Sequence, residues 1–419
     1  MSALAAPDVS AGMRRLIASE VLSSFGSMLS RLAMAWIAAL FLDATPIQMA
    51  WLVIADVIAG ALGTLLIGGW VDRHSRRMIM MLADGVRAAF MAGVVLLYLF
   101  DALSFWMLVV QSAMNGLAAM VFSIARSAWI ADNVPNEGLT LRNSQMSAAS
   151  SSSEAVAFGG GGWLFQLFGP VAALVTDTLS YIGSAWFLRG IPERLPDSPI
   201  PARAKTPWFS DVASGFHAVR ASSVLKTLVV SDVLMTLSFS ITSTVYMIFV
   251  TRDLAVSTGV QGLIFATGAL GSLAGAAMAP SLGRKIGAGR SLAVGLLAAG
   301  IGAVCIPLAP SAAVVVVVLL VTHQIVGDTG SVIAMIHGRT LRQLHAPKGS
   351  RGRVDAAMRS VSQGITVVGA LAGGLFASAI GTREALWVGA ICLLLGAVLM
   401  WLLLSATDAR ETSSTETGQ

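Results

Sequence analysis

The chain has 419 residues, of which 56% are apolar and only 12% charged. Soluble domains carry about a quarter charged residues, so this composition excludes a water-exposed globular surface and predicts an integral membrane protein. The formal charge of +5 does not point to nucleic acid, because the basic residues sit in short loops between apolar runs.

Runs of about 20 apolar residues read as membrane spans, and twelve are expected: Leu16–Leu42, Ile47–Gly69, Met78–Phe100, Phe105–Ile124, Gln145–Phe168, Val171–Leu188, Val224–Val250, Gly259–Leu282, Ser291–Leu308, Ala312–Ile336, Val354–Ile380 and Leu386–Leu404. Met1 to Gly12 is a short polar arm, and the first apolar run is too long for a signal-peptide core, so no cleavable signal is expected. Phe168-Gly169-Pro170-Val171 leaves room only for a tight hairpin between the fifth and sixth spans. The 42 glycines suit closely packed membrane helices. Cys305 and Cys392 both fall inside apolar runs, so neither a disulfide framework nor a metal site is expected.

Lys and Arg gather on one side. Arg14, Arg15, the loop after span two, Arg126, Arg142, the central segment, Arg284, Lys285, Arg290, the 339–359 cluster and Arg410 share it, while Arg252 and Arg383 fall opposite. The bias predicts a multi-pass membrane protein with both termini cytoplasmic.

Between Arg189 and Ser223 the composition changes. Pro192, Pro196, Pro199, Pro201 and Pro207 exclude a span, and Trp208 to Arg220 has apolar residues at helical spacing. This predicts a loop and then a helix lying on the membrane surface. The expected organisation is a bundle over 1–190, a cytoplasmic linker over 191–223, a second bundle over 224–405 and a cytoplasmic tail over 406–419.

The most informative loop is Gly68-Gly69-Trp70-Val71-Asp72-Arg73-His74-Ser75-Arg76-Arg77. An Asp beside an Arg cluster is not needed for topology alone. The pattern G-x-x-x-D-R-x-x-R-R after the second span resembles the mark of the major facilitator superfamily, with Ser75 where that family usually has glycine. Pro280-Ser281-Leu282-Gly283-Arg284-Lys285 is a weaker echo at the equivalent place in the second half, without the Asp. The resemblance implies an all-α fold of twelve transmembrane helices in two pseudo-symmetric six-helix bundles.

A second segment narrows the resemblance. Arg126, Ala128, Asp132, Val134, Pro135, Glu137, Leu139 and Asn143 match the pattern of the efflux branch that includes macrolide and enterobactin-type siderophore exporters, although Ile124 and Ala131 stand where that branch has prolines. Arg351-Gly352-Arg353-Val354 resembles its R-G-R-V, and Asp84 with Arg87 its D-x-x-R on one helix face. Gly159 to Gly162 keep the glycines of the branch's fifth-span pattern but not its proline. The resemblance implies a cytoplasmic gate built from Gly68, Asp72, Arg73, Arg76, Arg77 and Arg126. Asp72 would contact Arg126 and the start of span eleven, and the arginines would hold the loop at the anionic membrane face.

Ionisable groups at bilayer depth are expensive and usually face a cavity or a partner. Arg31 and Asp56 both fall near mid-depth, which suggests an Arg–Asp pair across adjacent helices; a permanent salt bridge is the competing reading. Glu154, at mid-depth in span five, is the best candidate for a proton carrier, against a role in packing alone. Gln111 and Asn115 lie one turn apart in span four, able to hydrogen-bond a substrate or a neighbouring helix. His323 near the middle of span ten would titrate or bind substrate, or serve as a packing residue, with Asp328 nearby. Asp177, Asp232 and Glu20 lie closer to the membrane faces.

The resemblance implies a secondary transporter that exports an amphipathic small molecule, drug-like, siderophore or lipid-like, by alternating access and proton antiport. An importer or facilitator of the same fold, or a non-transporting membrane sensor, are the alternatives. An enzyme is not expected, because the charges are scattered and no nucleotide-binding glycine-lysine loop follows a strand. The expected partners are the substrate and the bilayer, with no nucleic acid, no cofactor beyond the proton gradient, and a monomeric state.

Overall fold

The computed structural model describes residues 9–71, 74–192, 208–310, 312–347 and 350–416, and among them every regular element is helical. The helices are α1 (Val9–Leu40), α2 (Pro46–Val71), α3 (Arg76–Leu99), α4 (Phe105–Asn133), α5 (Asn136–Arg189), α6 (Trp208–Ala221), α7 (Ser223–Ile248), α8 (Thr258–Ile286), α9 (Ala288–Leu308), α10 (Ala313–Thr322), α11 (Asp328–His345), α12 (Arg351–Ile380) and α13 (Thr382–Glu416). Wide π-helical turns extend α7 through Phe249–Asp253 and join α10 to α11 through His323–Gly327.

Among the described residues, eleven helical runs are long and apolar enough to cross a membrane. One of them, α5, breaks at Gly169, where φ is 79° and ψ 179°. Glycine alone takes that conformation without strain, and Pro170 starts the next segment with no donor to lose. Counting the two arms of α5 separately turns the eleven runs into twelve spans, so the all-helical membrane fold holds. Several helices run past the apolar stretches expected for them. The first begins at Val9 rather than Leu16, and the fifth at Asn136 rather than Gln145, because helical hydrogen bonding continues through the polar turns beyond the hydrocarbon. The helix expected from Trp208 is present as α6, and its Gly215 lies against the Arg353 backbone of α12.

Local chemistry sets the helix starts. Thr45 and Gln48 form a reciprocal capping box ahead of α2, with Thr45 N to Gln48 Oε1 at 2.7 Å and Gln48 N to Thr45 Oγ1 at 3.3 Å. Ser75 caps α3 through the Met78 N–H at 3.1 Å, and Ser222 caps α7 through the Leu225 N–H at 3.3 Å.

The chain forms two compact units. One comprises Met1–Ala44, Trp51–Ala204 and Ser257–Leu263; the other comprises Thr45–Ala50, Lys205–Val256 and Ile264–Gln419. In the first, Leu16, Met80, Phe122, Ala125, Trp129 and Ile130 form a core between α1, α3 and α4. In the second, Leu225, Leu228, Leu292, Leu296, Met358 and Met400 do the same between α7, α9, α12 and α13. Leu99, Phe100, Trp106 and Trp186 of the first unit are exposed, as a lipid-facing surface requires.

Candidate functional site

At the Arg-rich end of the first unit the charges are more buried than the sequence implies. Asp72 and Arg73 lie outside the described residues, as do the surroundings of Gly68. Arg76, expected to hold its loop at the lipid face, is instead buried, with its Nε 3.5 Å from Asp132 Oδ2 at the end of α4. Arg77 donates from Nη1 to the Arg189 and Ile191 carbonyls at 3.2 and 3.4 Å, tying the start of α3 to the end of α5. Arg126 forms an ion pair with Glu20 of α1, while its expected contact with Asp72 lies outside the described residues. Glu20 is buried rather than near interfacial water, and it also accepts from Ser24 at 3.3 Å and Ser150 at 3.0 Å. This partner of Arg126 comes from another helix, α1, which loop spacing cannot reveal.

Deeper in the same unit a close glycine crossing builds the first candidate group. A Cβ on Gly116 of α4 would strike the backbone of Asp56 on α2, and one on Gly60 would touch the Gly116 carbonyl. The missing side chains let the two helices meet, which sets Asp56 beside Asn115, its hydrogen-bond partner. Arg31 is exposed, whereas Asp56, Asn115 and Glu154 are half-buried. Among the described residues Arg31 makes no direct ion pair; its charge attracts both Asp56 and Glu154 at longer range. The expected Arg–Asp pair is thus one guanidinium shared by two carboxylates. Gln111, one turn from Asn115, is buried, and its Oε1 has no hydrogen-bond partner among the described residues.

A second polar group fills the interior between α1, α3 and the second arm of α5. Asp84 and Asp177 are fully buried, at 0% exposure, and Arg87 is 4% exposed. Asp84 lies 3.6 Å from Arg87 Nη1 and accepts from Ser184 at 2.6 Å and Ser23 at 3.4 Å. Arg87 also donates to Ser23 at 3.1 Å and lies over the rings of Tyr181 and Phe122, 5.4 and 5.7 Å from their centroids. Tyr181 links this group to the first: its hydroxyl is 3.0 Å from Ser27 Oγ and donates to Asn115 Oδ1 at 3.3 Å. Asp177 accepts from Ser30 and has the Ser180 hydroxyl 3.4 Å away. The second arm of α5 packs Asp177 against α1, where Gly26 has no side chain to strike it.

The second unit places its candidates separately. His323 begins the π-helical turn, and its Nδ1 lies 3.0 Å from the Gly302 carbonyl of α9. A carbonyl only accepts, so Nδ1 carries the hydrogen and Nε2 is the basic nitrogen. The ring is 6.2 Å from that of Tyr246. Asp328 and Gln324 both lie against Gly268 of α8, and the Asp328 charge also reaches Tyr246. Asp232 is apart from these, with Arg342 Nη1 3.4 Å from its Oδ2.

The sequence reading missed the hydroxyl groups. Ser19, Ser23, Ser27 and Ser30 recur every three or four residues along α1, and Asp177, the pair Ser180 and Tyr181, and Ser184 fall on successive turns of α5. Each is a polar stripe at helical spacing, a signal that a count of charges passes over.

Comparison with solved structures finds the same fold in transporters. A bacterial homologue of the iron transporter ferroportin, inward-facing, superposes with a TM-score of 0.75, 19% identity and coverage of 94% of this chain and 98% of that one. A bacterial homologue of the human lysosomal transporter Spinster, inward-facing and unoccupied, gives 0.74 at 15% identity, covering 95% and 97%. The nucleoside transporter NupG gives 0.72 at 14% identity, covering 94% and 98%. Identities this low establish the fold alone. No curated protein matches the sequence. Residues 16–366 match the family model described as Major Facilitator Superfamily, and with that span the chain belongs to this superfamily of membrane transporters.

Proposed function

We propose that the protein is a secondary transporter that exports an amphipathic small molecule, drug-like, siderophore or lipid-like, across the bacterial inner membrane in exchange for protons. The supporting observation is the group formed by exposed Arg31 and half-buried Asp56 and Glu154, in which one guanidinium attracts two carboxylates. Arginine keeps its charge at all relevant pH. With both acids ionised the group holds one surplus negative charge, costly at bilayer depth. A proton on Glu154 removes that surplus, and so does a cationic substrate group. Two ligands that relieve the same charge compete, and competition at one alternately exposed site is what couples their opposite movements. Asn115 and Gln111 offer hydrogen bonds to the substrate's polar part.

On this reading the gradient supplies the energy without a bound cofactor, the protein works as a monomer, and its termini face the cytoplasm. The linker over 191–223 divides the chain into two six-span halves. The efflux-branch pattern around Arg126 to Asn143 supports outward transport.

The test is transport in proteoliposomes under an imposed pH gradient, screening siderophores, lysophospholipids and antibiotics, with Glu154→Gln beside the native protein. The native protein is expected to move a screened compound only with the gradient. Glu154→Gln, with a permanently neutral side chain, is expected to keep exchange and lose at least tenfold in gradient-driven rate. Full gradient dependence in the variant would move the proton to another carboxyl.

A further inference from the structure

We infer that the second unit holds a binding site for an organic ammonium group, built from Asp328, Gln324 and Tyr246 where α7 and α8 meet the wide turn between α10 and α11. The site lies outside the Arg31 group and within one unit. It goes beyond the exporter reading, which leaves these residues unused, and it does not depend on proton exchange.

The turn His323–Gly327 is a π-helical insertion with no proline in it to force the distortion. Such turns are rare and recur mostly at functional sites. Glycines bring α8 directly against this one. A Cβ on Gly271 would strike the carbonyls of Ile325 and Gln324, and one on Gly268 would strike Asp328 Oδ2 and come within 3.1 Å of Gln324 Nε2. The carboxylate and the amide therefore flank the same point on α8. One turn away on that helix, the Phe265 ring lies 5.5 Å from the ring of Tyr246 on α7, which in turn lies 6.2 Å from His323. Tyr246 is close enough to feel the charge of Asp328.

The polar ends of these three side chains are left without partners. Among the described residues Asp328, Gln324 and Tyr246 make no side-chain hydrogen bond and no ion pair, although Gln324 is only 8% and Tyr246 only 7% exposed. Nor are their polar atoms sealed into packed protein, as the unpartnered Gln111 Oε1 is. The little surface that Gln324 and Tyr246 keep is thus at the amide and the hydroxyl, and Asp328 beside them is half-buried. Lipid tails offer such groups nothing, whereas a polar ligand would satisfy all three.

Charge selects the ligand. Among the described residues no cation stands near enough to Asp328 to act on it, so the group carries one uncompensated negative charge with acceptors at the carboxylate, the Gln324 Oε1 and the Tyr246 hydroxyl. An ammonium supplies both the opposite charge and N–H donors for these acceptors. The neighbouring rings of Tyr246 and Phe265 suit a cation or its apolar substituent. A metal ion is served less well. Hard cations need several oxygen ligands, mostly carboxylates, and among the described residues no three His, Cys, Asp or Glu come together.

The test is equilibrium binding to the purified full chain in detergent micelles at neutral pH, with no gradient. The probe is dansylcadaverine, a fluorescent primary amine, read by its blue shift and polarisation above a protein-free micelle blank. Its analogue with a hydroxyl in place of the amine is the uncharged control. The native protein is expected to bind the amine at least tenfold more tightly than the alcohol, and unlabelled 2-phenylethylamine should displace it. Asp328→Asn should abolish the preference for the amine. Gln324→Leu should weaken amine binding severalfold. Both should melt close to native, since neither side chain holds another part of the protein. Equal affinity of the native protein for amine and alcohol, a preference retained in Asp328→Asn, or displacement of the probe by millimolar sodium ions would each overturn the proposal. If Asp328→Asn proves unstable, Gln324→Leu decides, and native amine affinity there would overturn it as well. A protein that binds the amine in this way but moves nothing under a pH gradient sinks the exporter reading alone. One that transports yet ignores the amine sinks this site alone.

Discussion

Arg31 and Arg87 organise the charges of the first unit, because each permanently charged guanidinium attends more than one carboxylate. Arg31 attracts Asp56 and Glu154, and Arg87 attracts Asp84, Asp177 and Asp56. Glu20 and Arg126 form the contrasting case, one acid and one base, with three further contacts supplied by Ser24, Ser150 and Ser123. Their balance makes a sharp prediction. Glu20→Gln leaves a partly buried guanidinium without its counter-charge, and should destabilise the protein by about 2–3 kcal/mol. Adding Arg126→Gln should recover part of that loss, since neither charge is then stranded. Thermal melts of the native protein, both single variants and the double variant measure the coupling. Strictly additive losses would show that the two residues do not act as a pair. The charges themselves were legible in the sequence at Arg31, Asp56 and Glu154, because ionisable residues stand out in apolar runs. Their partners were not: Arg126 meets an acid more than a hundred positions away, and Asn115 joins Asp56 only where two helices cross.

At the scale of the helices, glycines decide which polar groups meet. Gly116 brings α4 against the Asp56 backbone, and Gly26 brings α1 against Asp177. Adding a methyl group at either crossing should force the helices apart rather than fill a void. Gly116→Ala is therefore expected to destabilise the protein by about 1–3 kcal/mol through overpacking. It should also lower gradient-driven transport as strongly as Asn115→Ala, because both changes separate Asn115 from Asp56. Gly85, beside which a Cβ meets open space, is the control, and Gly85→Ala should leave transport and melting temperature close to native. If Gly116→Ala behaves like Gly85→Ala, the crossing is looser than its geometry indicates. Hydropathy made the number and order of spans readable, and the Gly169-Pro170 pair made the hairpin readable. The serine stripe of α1 was visible too, at spacings of four, four and three residues between Ser19 and Ser30, but serine is common in membrane helices and carries no charge to mark it. Which glycine faces which helix depends on the tertiary crossing and has no periodic signature of its own.

For the molecule as a whole, the distribution of Lys and Arg turns an array of spans into an oriented one. Arg14, Arg15, Arg76, Arg77, Arg126 and Arg142 lie at one end of the helices of the first unit, while the Gly169 hairpin joins two spans at the other. Moving the basic end through the hydrocarbon would carry many fixed charges across it, each at a cost of about 2.5–3.5 kcal/mol. The chain should therefore insert with His74 facing the cytoplasm and Phe168 facing outward. Both positions are exposed, so both should react once reagent reaches them. In a background with Cys305 and Cys392 replaced by serine, Phe168→Cys should label with a membrane-impermeant maleimide in intact cells. His74→Cys should label only after the membrane is opened. The same orientation fixes the sign of the proton gradient that the exporter reading requires, with protons entering from the Phe168 side as substrate leaves. Labelling of His74→Cys in intact cells would invert the molecule, and the proposed direction of transport would invert with it.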